Sequence, residues 1–339
     1  MDQLKVIRTV CLFTDSPSEE ALAGLEHLSA LLSSRGFSVQ TRRLCSADVP
    51  GVFERDRRTD KPVLFSIGRQ TYDRAQSILP EFLAAKTVNF NVDLTSEEIG
   101  VRHSDLLFKV IRENAGKTFN FAYTFNNAAS SPYFPSASYV TNGFSVGLQS
   151  TDLSEGCDTI QEWLDRMKAV WSELDSICSS EEGFLGVDTS IAPLFSGRGS
   201  FIDFIKRMGH DFSRSVTTDV YLRITRFINE AYTKKVGQCG LMFPCLEDFE
   251  LAVEYEQGNF PIERNAFLSL HSGLGIDSYP IGIDERPERI AEVLTLLQGL
   301  SSKYQKPLSA RFVSDGKAGI GQLTHFENPY LKDVVVRPL

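Results

Sequence analysis

Apolar and polar positions along this chain switch repeatedly between strand and helical periodicity. Residues 6–14 (VIRTVCLFT) are β-branched and apolar, the composition of a covered strand. Over 19–34, Leu22, Leu25, Leu28, Leu31 and Leu32 recur at helical spacing, after the start signals Asp15, Ser16 and Ser18 and before a terminating Gly36. The same rhythm predicts strands over 37–44, 62–67, 87–92, 119–125, 144–148, 184–187, 241–243, 276–279 and 308–313. Helices are predicted over 70–86, 97–115, 160–178, 200–208, 218–232, 248–256, 263–272 and 288–304. The helix over 160–178 is amphipathic, with Trp163, Leu164, Met167, Val170, Trp171 and Leu174 on one face.

Ten strand candidates separated mostly by helices predict an α/β fold with a mostly parallel sheet, because parallel neighbours need a crossover. Eight such units would suit the common α/β barrel; ten suit a larger, barrel-like closed sheet or a wide open one. Aromatic runs such as FNFAYTF fit strands covered on both faces. Residues 126–143, with two prolines and many small residues, read as a long surface loop, either a lid over a site or a plain excursion. No internal repeat or low-complexity stretch divides the chain, so one domain over 1–339 is expected.

Hydrophobic residues make up 42% and charged residues 23%, enough for a substantial core. The net charge of −9 argues against a nucleic-acid groove and against anionic membranes, and leaves room for a basic patch around a small anion. No apolar run approaches the roughly 18 residues of a membrane span. The start, MDQLKVIRTVCLF, lacks the pattern of a secretory leader. The six cysteines are scattered without a C-x-x-C pair and read as free thiols, so a cytoplasmic protein is expected.

Chemistry gathers where strands of α/β folds end. The runs GFLGVDTS, GLMFPCLED, LGIDSYPIG and PLSARFV place Asp188, Cys245, Glu247, Asp248, Asp277 and Arg311 at such ends. Converging acids would push one another's pKa apart and suit acid/base work, or would hold a divalent cation through Asp188, Asp248 and Asp277. The competing reading is helix capping, since Asp188-Thr189-Ser190 and Glu247-Asp248 stand where helix starts want acceptors. Arg311, inside an apolar strand, either pairs with an acid as a strut or receives a substrate carboxylate or phosphate. Ser196, Gly197 and Gly199 precede a helix, and Lys317 sits in the turn Asp315-Gly316-Lys317-Ala318-Gly319. Both glycine loops are candidate anion cradles that match no stricter fingerprint. Cys245 is a candidate nucleophile by position, although neighbouring acids would blunt its thiol. None of the five histidines forms an H-x-x-x-H pair, and no serine lies in a G-x-S-x-G elbow.

The ordered set YFPSAS, GFSVGLQ, GVDTSIAP, CGLMFPCLED, GIDSYPIG and KPLSARF resembles the Domain of Unknown Function 711 family over essentially the whole length. The resemblance implies a ten-stranded α/β barrel like that of pyruvate formate-lyase-like proteins, and carries Asp188, Glu247, Asp248, Asp277 and Arg311 over as site residues. Glycyl-radical chemistry is not expected, because the tail DGKAGIGQLTHFENPYLKD lacks the arginine-valine-x-glycine-like run such chemistry needs.

The leading expectation is a hydrolase- or lyase-type enzyme acting on a small polar, anionic metabolite by acid/base or metal-assisted chemistry. Asp188 and Asp277 would work the protons or hold the metal, and Arg311 and Lys317 would anchor the anion. The alternative is a non-catalytic ligand-binding or regulatory protein using the same pocket. A homo-oligomer joined through exposed apolar helix faces is a further expectation.

Overall fold

β1 (Lys5–Thr14) lies inside a ten-stranded sheet and has neighbours on both sides. The structure, a computed structural model, describes residues 5–339; residues 1–4, the start of the stretch read for a leader, lie outside the described part. α1 (Glu19–Ser34) follows, capped by the Ser18 side chain, which accepts from Ala21 N. The predicted strand over 37–44 is in fact two, β2 (Phe37–Val39) and β3 (Arg42–Ser46), both parallel to β1. α2 (Val49–Arg58) was not foreseen, because its sequence, VPGVFERDRR, has Pro50 and Gly51 in its first turn and ends in a charged run, with too few apolar positions to show a helical period.

The alternation then runs as expected. It continues through β4 (Val63–Gln70), α3 (Tyr72–Ala84), β5 (Val88–Asp93), α4 (Val101–Asn114), β6 (Phe121–Phe125), β7 (Gly143–Leu148), α5 (Ile160–Cys178) and β8 (Phe184–Asp188). Helices α6 (Phe201–Arg207), α7 (Phe212–Ser215), α8 (Val220–Glu230), α9 (Phe249–Glu256) and α10 (Ile262–His271) lead to β9 (Gly275–Pro280), α11 (Pro287–Tyr304) and β10 (Leu308–Val313).

The sheet order is β8-β7-β1-β3-β4-β5-β6-β10-β9, with β2 beside β1. β1 to β6 run parallel to their neighbours, and so do the pairs β7–β8 and β9–β10. The two blocks meet antiparallel at β1–β7 and β6–β10. The sheet is therefore mixed. The predicted strand over 241–243 forms no ladder; Leu241 makes isolated bridges to Ile191 and Gly273, and Pro244 one to Asp277. No ladder joins β8 to β9, so strand pairing does not close the sheet.

One face of the sheet buries large side chains under helices, such as Phe90, Phe121, Tyr123 and Phe125 with Leu79, Phe82, Leu107 and Ile111. The opposite face mixes a small apolar cluster of Cys11, Phe13 and Cys45 with polar side chains. It carries Thr9, Arg43, Asn91, Thr124 and Ser145, and the segment 126–142 lies against it. Asn91 Nδ2 donates to the Pro135 and Ala137 carbonyls at 2.8 and 3.0 Å, Ser145 Oγ to Ser130 O at 2.8 Å, and Thr9 Oγ1 to Pro132 O at 3.3 Å. The expected surface loop is thus largely a buried plug, with its backbone acceptors met by inward-facing side chains. Gly147 makes room for it: a Cβ there would lie 2.6 Å from the Tyr133 hydroxyl.

Candidate ligand-binding cavity

Two β-bulges aim the site. In β9 the register jumps from Ala310↔Ile276 to Phe312↔Tyr279, so Asp277 and Ser278 both oppose Arg311. Regular alternation would send those two side chains to opposite faces; the bulge, with Ser278 in the left-handed region at φ 42°, turns both towards one guanidinium. In β1 the register against β7 passes from Ile7↔Leu148 to Thr9↔Gly147, which leaves Arg8 as the extra residue. Arg43 needs no irregularity. It stands two residues before Cys45 on the inner face of β3.

Arg8, Arg43, Asp277 and Arg311 line a cavity of about 490 Å³. Its lining combines the starts of β4 to β6 with Ala192 and Pro193 after β8, residues of the 242–247 segment, the first half of β9, and Ser309 and Arg311 of β10. The floor comes from the plug, at Tyr133 to Ser136, and the tail residues Asn328 and Tyr330 reach it from outside. The lining holds five cationic side chains against two carboxylates, in a chain whose net charge is −9. Aromatic rings back each arginine: Phe119 under Arg311 at 4.8 Å, Phe134 under Arg43 at 5.0 Å, and Tyr330 by Arg8 at 6.0 Å.

Arg311 is 7% exposed, and four hydrogen bonds engage all three of its nitrogens. Its Nε donates to Asp277 Oδ1 at 2.7 Å, its Nη2 to Glu247 Oε1 and to Ser278 Oγ (2.9 Å), and its Nη1 to Phe119 O at 3.4 Å. Ser278 Oγ in turn donates to Glu247 Oε1, and Arg8 Nη2 donates to Glu247 Oε2 at 3.4 Å. Burial lifts the Asp277 pKa above its ordinary value; Arg311 opposes the rise and Glu247 adds to it. The Asp277 side chain remains 18% exposed and faces the cavity.

Arg43 differs. It is 6% exposed, and its hydrogen bonds go to neutral acceptors, Nε to Thr41 Oγ1 at 3.2 Å and Nη1 to Pro132 O at 3.3 Å. Among the described residues no carboxylate forms an ion pair with it. Burial, together with the neighbouring Arg8, pulls its pKa down to about 10. A guanidinium has five N–H donors, so three of those on this cavity-lining residue have no hydrogen-bond partner among the described residues.

The remaining predicted residues lie elsewhere. Asp188 is fully buried and does not line the cavity. It accepts from Ser131 Oγ at 2.8 Å, from Ser190 N and Oγ at 3.0 and 2.6 Å, and from the Gln238 and Cys239 backbone N–H groups at 3.2 and 3.3 Å. It ties the plug to β8 and to segment 237–239, and burial raises its pKa. Gly237 is required there, since its φ is +75° and a Cβ would lie 2.0 Å from Asp188 Oδ2.

Asp248 caps two helices. It accepts from Ser200 Oγ and from the N–H groups of Phe201 and Ile202 at the start of α6, and from Leu251 N in α9. Asp188, Asp248 and Asp277 therefore serve three separate sets of partners. Among the described residues no group of three or more His, Cys, Asp or Glu side chains is placed to share a cation. Cys245 is fully buried and its thiol is pushed well above the usual range, first by burial and then by Asp248 and Asp277.

Neither glycine loop reaches the cavity. Ser196 and Gly197 are exposed, and Gly197 N already donates to the Glu250 carboxylate at 3.1 Å. Gly199 is buried, and its carbonyl accepts from Leu194 N and Thr151 Oγ1. Lys317 is exposed, in a turn closed by Asp315 Oδ1. The anchors that sequence reasoning missed are Arg8 and Arg43. For Arg8 the signal was present, because it is an arginine inside an apolar strand, the feature that singled out Arg311; Arg43 lies in the polar run RRLCS, which carries no such signal.

A family model described as Uncharacterised ACR (DUF711) matches residues 69–327. The chain belongs to the DUF711 family. The span shared with DUF711 includes Glu247, Asp277 and Arg311, whereas Arg8 and Arg43 precede it. A search of curated proteins returned no match to this DUF711 member. No helix among its described residues is long and apolar enough to cross a membrane.

Proposed function

We propose that the cavity binds a small anionic metabolite through Arg43 and Arg8, and that Asp277 carries a proton to or from it in a hydrolase- or lyase-type reaction. One observation carries this reading: a buried guanidinium faces the cavity with no carboxylate of its own. Burying an unpaired charge is costly, so such a group persists where a ligand supplies the counter-ion. Asp277 stands in the same cavity with a pKa that burial raises, the direction that suits a group exchanging protons with a ligand. Glu247 and Ser278 act through Arg311, holding it against Asp277. The Arg311 bonds to both acids favour a second reading, in which the carboxylates are struts and the cavity only binds its ligand.

We also infer that the sheet curls into a barrel resembling that of pyruvate formate-lyase-like proteins. The bridges from Leu241 to both Ile191 and Gly273 support this, since the 240–245 segment spans the gap between β8 and β9. A thermal-shift screen of small carboxylates and phosphates tests the functional reading. Wild type responds to a subset of these anions and Arg43→Met to none; equal responses from both proteins would refute it.

A further inference from the structure

The cavity is charged at two separated places. Arg43 and Arg8 lie deep and are 6% and 8% exposed, while Lys61 and Lys86 stand at the mouth with side chains 46% and 54% exposed. Arg43 pairs with Leu64 across β3–β4, and Lys61 lies three residues upstream of Leu64, past a bend at Pro62 where Val63 N donates to Lys61 O at 2.8 Å, so the two cations are separated by less than the ~10 Å of a fully extended stretch. Lys86 lies two residues before Val88, the β5 partner of Phe65, which sets it level with Val63, between Leu64 and Lys61. Between the two positions the wall is largely apolar, formed by Val63, Leu64, Phe119, Phe134 and, opposite, Phe243 and Leu274.

The present partners of the lysines are weak competitors. Lys61 pairs with half-exposed Glu26 at 2.9 Å, and Lys86 donates to the Arg57 carbonyl at 3.2 Å and pairs with fully exposed Asp60 at 3.9 Å. Exposed pairs of this kind contribute little and exchange readily.

We infer that the ligand is an elongated dianion, with carboxylate or phosphate groups at both ends of an apolar middle, one end on Arg43 and Arg8 and the other on Lys61 and Lys86. This rests on the anion-binding reading above and extends it to a substrate class. A monoanion would leave the mouth lysines with only a steering role.

Calorimetric titration with succinate, adipate and suberate, with hexanoate as the singly charged match for adipate, and with the phosphonate analogue of adipate tests it. The wild type binds adipate or suberate at least tenfold tighter than hexanoate, and the phosphonate arm shows which head group the inner end prefers. In Lys61→Ala/Lys86→Ala, which alters only exposed side chains, that preference falls to within about twofold while hexanoate affinity holds. Equal affinity of wild type for adipate and hexanoate, or equal weakening of both in the lysine variant, overturns the dianion inference and leaves Arg43 as an anion site. No binding of any probe, or binding indifferent to Arg43→Met, overturns the underlying reading as well.

Discussion

Arg311 Nε donates to Asp277 Oδ1 at 2.7 Å across a bulge that sets Asp277 and Ser278 against the same guanidinium. The same arginine also holds Glu247, so one cation neutralises two buried acids. Removing each partner therefore has a different consequence. Arg311→Met strands Asp277 and leaves Glu247 with only the longer Arg8 contact at 3.4 Å, and should cost about 3–5 kcal/mol in urea unfolding. Asp277→Asn keeps an oxygen for Arg311 and should still unfold cooperatively, while ligand binding or turnover is lost. If Asp277→Asn fails to fold, Asp277 is a strut and its chemical role falls.

Arg43 predicts the opposite sign. Its burial is not offset by an ion pair, so an apolar side chain of similar length should be tolerated. Arg43→Met is expected to be as stable as wild type or more so, with anion affinity lost. That trade of stability against function marks a binding residue. Loss of several kcal/mol in the variant would instead make Arg43 part of the scaffold.

Much of the architecture was legible because helices over 160–178 and strands over 308–313 obey simple periods, and the observed α5 and β10 have those same bounds. The site was legible in part. Glu247, Asp277 and Arg311 do converge, because an acid or arginine in an apolar strand must find a partner. Arg8 and the pairing of Asp277 with Ser278 were not readable from alternation, since both depend on bulges that shift a strand by one residue. Asp188 and Asp248 turned out to bind the chain to itself. An acid before Ser or at a helix start looks the same whether its hydrogen-bond donors are local or belong to a ligand. The inward path of 126–142 was hidden because small residues and prolines read as solvent-facing, whereas their backbone acceptors are met by Thr9, Arg43, Asn91 and Ser145.

Asp188 should reveal itself as the anchor of that plug. Asp188→Asn turns an amide N–H₂ towards donors that now meet a carboxylate, at a cost of about 1–3 kcal/mol. Limited proteolysis should then cut within 126–142 faster than in wild type. Unchanged proteolysis with lost turnover would return Asp188 to the chemistry.

Asp248 supplies a pH signature. Burial pushes its pKa up to about 7 in the folded chain, against about 3.9 when unfolded. Over that window the folded state binds the extra proton, so its stabilising contribution is full below about pH 4 and declines as pH rises through about 7. The unfolding free energy of wild type should therefore fall more between pH 5 and pH 8 than that of Asp248→Asn. Parallel pH profiles would show that the four donors hold Asp248 ionised throughout.

The central claim is that Arg43 and its cavity hold an anion. Native mass spectrometry of wild type and Arg43→Met, purified side by side from the same cells, tests it most directly. The account predicts a small anionic adduct on wild type that the variant lacks. An adduct that is neutral, or that Arg43→Met retains in equal amount, would contradict it.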